Sequence, residues 1–103
     1  SMRILEFSNN GSQSNSQKSN SKSPIDIINQ QRFELSDESD ENQGLAIAPN
    51  GMAAVDYNIS ENSFAVRPDN DLALDSQTLA KFKQDITACE KLATQLSRIG
   101  SQA

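Results

Sequence analysis

Three acidic residues stand close together in "RPDNDLALD": Asp69, Asp71 and Asp75. Carboxylates at i and i+2 are how a calcium-binding loop begins. Counting from Asp69, the sixth and twelfth positions are Leu74 and Ala80, where such a loop needs Gly and a bidentate Glu. The stretch therefore reads as a solvated connector that ends in a helix cap. Paired carboxylates can also do acid–base work, but nothing around these suggests a pocket.

Cys89 is the single cysteine, and there is no histidine. Cys–His and Ser–His catalysis within one chain are excluded, because the base is missing. The same composition leaves a structural zinc ion almost no ligands. The four glycines are isolated and form no phosphate-cradling loop. Cys89 falls among apolar residues at helical spacing and reads as a small buried hydrophobe. Ser36 and Ser39 lie among acids in "LSDESDEN" (Leu35–Asn42) and resemble kinase targets, although the run reads first as a solvated acidic loop. No catalytic residue, metal ligand or cofactor is assigned, and the chain reads as a non-enzyme.

What the elements do position is apolar surface. Leu79, Phe82, Ile86, Cys89, Leu92, Ala93, Leu96 and Ile99 recur at spacings of three and four. That predicts an amphipathic helix from Asp75 or Ser76 to about Ile99, with Gly100 as its terminator. Between Gly44 and Arg67, three short runs alternate with period two, the clearest being Val55, Tyr57 and Ile59. "PNG" (Pro49–Gly51) and "SENS" (Ser60–Ser63) supply turns, with Gly51 expected at positive φ. The pattern predicts a three-stranded antiparallel meander. Upstream, Ser23 as N-cap, Pro24 at N1 and Asp26 at N3 predict a short helix over residues 24–33.

The chain thus reads as α+β. Residues 1–23 form a disordered tail or linker, and residues 24–103 a small α-β-β-β-α domain. Ser8–Ser23 contains seven Ser, four Asn, two Gln, two Lys and one Gly, with nothing apolar. It cannot offset roughly 1–2 kcal/mol per residue of ordering entropy. "MRILEF" (Met2–Phe7) ahead of it is a strand or a recognition segment, since six residues do not decide. The polar tail resembles the export signals of bacterial type III secretion substrates. A cytoplasmic protein, exported if at all without a cleaved signal peptide, is the expectation. No apolar run approaches the roughly 20 residues of a membrane span.

Charge is segregated behind the net −5. Residues 25–75 hold eleven acids against Arg32 and Arg67, whereas residues 76–103 hold four bases against Asp85 and Glu90. An acidic middle repels a phosphate backbone, so general nucleic-acid binding is disfavoured. The element order is similar to that of double-stranded RNA-binding domains. The resemblance is one of topology, and it implies the alternative of a nucleic-acid module gripping phosphates through Lys81 and Lys83.

The predicted helix spans about 36 Å, whereas strands of five to seven residues span about 17–20 Å. The sheet therefore covers about half of it. Leu79, Phe82 and Ile86 are expected in the core. Leu92, Leu96 and Ile99 are expected to need cover from the first helix, a second copy or another protein, and are the candidate partner-binding residues. The reading is a small acidic protein-binding regulator or adaptor, bacterial and secretion-coupled on the tail's composition. A structural subunit that dimerises through the long helix is a further alternative.

Overall fold

The computed structural model describes residues 22–69, 71 and 75–101. The expectations for residues 1–21, a disordered tail and an undecided Met2–Phe7 segment, lie outside the described residues. The elements are α1 (Pro24–Gln30), β1 (Glu34–Leu35), β2 (Gln43–Ile47), β3 (Ala53–Asn58), β4 (Ser63–Pro68) and α2 (Ser76–Ser101). The class is α+β. The four strands form one antiparallel sheet in the order β1-β2-β3-β4, and both helices pack on it.

The start of α1 follows its sequence: the Ser23 hydroxyl accepts from the Asp26 N–H at 3.2 Å, and Pro24 leads the first turn. Its end comes three residues earlier than expected. Arg32 takes a left-handed backbone, φ 66°. The Phe33 N–H then donates to the Ile28 carbonyl and the Arg32 N–H to the Asn29 carbonyl. This pair of bonds is a Schellman stop, with arginine where glycine is usual. It turns Phe33 into the core beside Ile28, and both are buried. The chain leaves directly into β1, a fourth strand beyond the three expected. Two residues are too few to carry a period, so β1 has no sequence signature.

The meander forms with the predicted turns. Gly51 has φ +75° and its N–H donates to the Ala48 carbonyl at 2.8 Å, closing a turn around Pro49-Asn50. Gly44 is a second required glycine, because a Cβ there would overlap the Ser39 side chain. The register places Ala46 opposite Val55, and Val55 opposite Val66. The helix-facing side therefore carries Ala46, Val55 and Tyr57. On β2 the small residues face the core, while Leu45 and Ile47 lie on the far face, half-buried. Alanines at 46, 48 and 53 let the helices approach closely, and the bulk comes from Ile28, Leu92 and Leu96.

α2 is capped by Asp75, whose carboxylate accepts from the Thr78 N–H at 2.8 Å and the Thr78 hydroxyl at 2.9 Å. These bonds hold the Asp75 carboxyl below its usual range. The helix does not stop at Gly100 but continues to Ser101. Gly100 serves close approach instead: a Cβ there would meet Asn62 Oδ1 at 3.0 Å and the Ile59 carbonyl oxygen at 3.2 Å.

Candidate functional site

Two contacts fix how α2 lies on the sheet. Asp85 is 1% exposed, and its carboxylate accepts from the Asn50 N–H at 3.1 Å and the Met52 N–H at 2.8 Å. The Asn50 side chain donates in return to Gln84 Oε1 at 3.1 Å. These bonds clamp the β2–β3 turn to the helix. Near the other end, Ser97 Oγ lies 3.2 Å from Asn62 Oδ1, in the turn between β3 and β4. So α2 runs alongside β3 in the same direction, with residues 85–100 over the sheet. Residues 76–84 come before the clamp, about 13 Å of helix at 1.5 Å per residue.

Exposure follows this placement and reverses the expected division of the stripe. Leu92 and Leu96 are 0% exposed, inside a core with Ile28, Val55 and Tyr57. Ile99 is half-buried. The apolar surface expected at Leu92, Leu96 and Ile99 for a partner is taken up within the chain, because α1 packs on α2 and supplies the cover. Leu79 is 36% exposed, and Phe82 and Ile86 are only partly buried. No side chain from Asp75 to Gln84 is fully buried. The mismatch in length between helix and sheet is real, but the overhang lies at the N-terminal end.

At 100° per residue, Asp85, Cys89, Leu92 and Leu96 form the centre line of the buried face. Leu79, Phe82, Ile86, Ala93 and Ser97 fall to one side of it. The Ser97–Asn62 contact turns that side toward β4. β4 is the last strand of the sheet, and Val66 on its helix-facing side is 37% exposed. The remaining apolar surface thus gathers on one flank: Leu79, Phe82 and Ile86 on α2, and Phe64 and Val66 on β4.

The side chains that invite chemical readings have structural tasks. Asp85 satisfies two backbone donors of the clamp. Burial pushes the Cys89 thiol up to about 11, with Asp85 and then Glu90 adding to the rise, which keeps it a neutral thiol. Tyr57 donates to the Asp40 carbonyl at 2.8 Å, and burial is the main cause of its raised pKa. Ser36 and Ser39 are half-buried and share a 2.9 Å hydrogen bond, and Ser39 Oγ also accepts from the Leu45 N–H. Asp69 is half-buried and Asp71 exposed, while Asp75 is the cap. An open depression of 610 Å³ lies on the far face of the sheet, between Asp37, Glu38, Asp56 and Arg67. Among the described residues, no group of three or more His, Cys, Asp or Glu is placed to hold a metal ion. No described helix is long and apolar enough to cross a membrane.

Asp85 is the residue that sequence reasoning missed. Its signal was its phase: positions 85, 89, 92 and 96 share one line, so an acid there had to be buried or the stripe shifted. Compared with known proteins, the chain matches no family model, no curated protein and no solved structure.

Proposed function

We propose that the protein is a non-catalytic protein-binding regulator or adaptor that engages its partner through the N-terminal end of α2. The observation that carries this reading is the overhang. Asp75 caps a helix whose first two turns precede the clamp to the sheet, and that segment presents Leu79 and Phe82. A domain this small gains stability from buried leucines, at about 1.5–3 kcal/mol each. Leu79, left 36% exposed on a capped helix, gains only part of that and leaves apolar surface for a partner to cover. Helix-in-groove recognition uses anchors spaced three and four residues apart on such a helix. Leu79, Phe82 and Ile86 have that spacing.

The test is site-specific photocrosslinking in the cell that makes the protein. A photoreactive residue replaces Leu79 in one variant and the exposed Lys91 in another. A discrete adduct from position 79, absent from position 91, is the expected result. Equal adducts at both positions, or none at either, would remove the overhang as a binding site.

A further inference from the structure

We propose that the edge of β4, which no described strand covers, pairs with β4 of a second copy of this chain, making one continuous eight-stranded antiparallel sheet about a twofold axis. The hydrogen-bonding phase of the edge is fixed. The Asp69 N–H donates to the Met52 carbonyl, across from β3. In an antiparallel ladder the direction of the backbone groups alternates. Ser63, Ala65 and Arg67 therefore face β3, while Phe64 and Val66 direct both N–H and C=O to the free edge. Pro68, next in phase, has no N–H, and Asn62 at φ 51° turns the chain away at the other end. An edge with two usable residues, two positions apart, suits a short symmetric pairing better than a long foreign strand.

With Ala65 opposite itself, Phe64 of each copy faces Val66 of the other, and four N–H···O=C bonds form. Both residues lie on the helix side, so the pairing covers the 37% exposed Val66. Arg67, the one charged residue of β4, falls opposite Ser63 of the second copy. Ala65, exposed on the far face, falls directly opposite its own copy across the axis. The acids of the β1–β2 loop, Asp37, Glu38, Asp40 and Glu41, lie at the opposite edge of the sheet. Two copies of net charge −5 thus meet along the side farthest from that acidic loop.

The axis also suits α2. The helix keeps pace with β3 from Asp85 beside Met52 to Gly100 beside Ile59. Ala65 pairs with Asp56, so the axis, which runs between the two β4 strands, is level with Ala93 of α2. The two antiparallel helices lie on one face, about 10–14 Å apart for a strand spacing of about 4.8 Å. The alanine at the midpoint permits the closer end of that range. Leu79 falls beyond the end of the other helix, so the dimer carries two binding ends roughly 42 Å apart along the helix direction. A bivalent adaptor results.

Sedimentation of the full chain from micromolar to near-millimolar concentration is the experiment, with circular dichroism on every variant. The wild type should sediment as a dimer at the upper end. Val66→Lys should be monomeric with an unchanged spectrum. Ala65→Glu should weaken association about tenfold by setting two acids directly opposite each other across the axis, and mixing it with Ala65→Lys should restore association as a heterodimer. A wild type that stays monomeric throughout, or a dimer indifferent to Val66→Lys and to Ala65→Glu, overturns the inference. In either case crosslinking at position 79 to another protein would be unaffected, so the two readings fail separately.

Discussion

Leu79 and Leu96 are leucines on the apolar side of one helix, yet one is 36% exposed and the other 0%. Part of the difference is helical phase, because Leu79 lies about 100° round this continuous helix from Leu96. The rest comes from what lies beneath. At Leu96 the helix has β3 on one side and α1 beside it, with Ile28 and Tyr57 in the same core. At Leu79 the sheet has already ended, because the hairpin turn stops at the Asp85 clamp. An amphipathic stripe marks where a helix can bury surface. Only the length and placement of the neighbouring elements decide where it does.

The largest expected effect is therefore at the buried end. Leu96→Ala should cost about 2–5 kcal/mol, the range for deleting a leucine side chain from a core. A small domain commonly has little more than about 5 kcal/mol in total. The variant should lose most of its cooperative thermal transition by circular dichroism. A midpoint within a few degrees of wild type would mean that Leu96 is not enclosed as described.

Much of the fold was legible because its signals are local. The Ser23-Pro24-Asp26 start of α1, the Asp75 cap, the Pro49-Asn50-Gly51 turn and the alternation in Val55-Asp56-Tyr57 each concern a few adjacent residues. What was not legible depended on contacts between distant segments. Arg32 reads as a helical residue and is a left-handed stop, since the pull of Phe33 into the core outweighs a strain of roughly 1–2 kcal/mol. Gly100 reads as a terminator and is a close-approach residue, because the constraint comes from Ile59 and Asn62 in another element. The end of α2 left over by the sheet was assigned wrongly for the same reason. Sequence shows the lengths of helix and strands, but the offset between them is set by Asp85 meeting the amides of Asn50 and Met52.

That offset can be attacked directly. Asp85→Asn keeps the shape but sets an NH₂ group against one of two backbone N–H donors. A buried donor left without an acceptor costs about 1–3 kcal/mol, and hydrogen bonds to a charged group are worth more than neutral ones. We expect Asp85→Asn to destabilise the protein by about 2–4 kcal/mol. The Asn50 and Met52 amides should exchange with solvent faster than those of Tyr57 and Leu92. Slow exchange at both amides in the variant would show that something other than this carboxylate holds the turn to the helix.

The smallest stability effect should be at the exposed end. Leu79→Ala removes a side chain that is 36% exposed and flanked by no fully buried neighbour from Asp75 to Gln84. Part of the lost contact is offset because alanine is the better helix former. The expected change is within about 0.5 kcal/mol, as for surface positions generally. Partner capture should nevertheless fall, because an apolar anchor at the centre of an interface can be worth about 2 kcal/mol or more. Thermal denaturation and recovery of the complex captured through a photoreactive residue at Phe82 are measured on the same variant. A loss of stability comparable to that of Leu96→Ala would place Leu79 in the core and erase the contrast between the two ends. Unchanged stability with unchanged capture would leave the contrast standing and take binding away from the overhang.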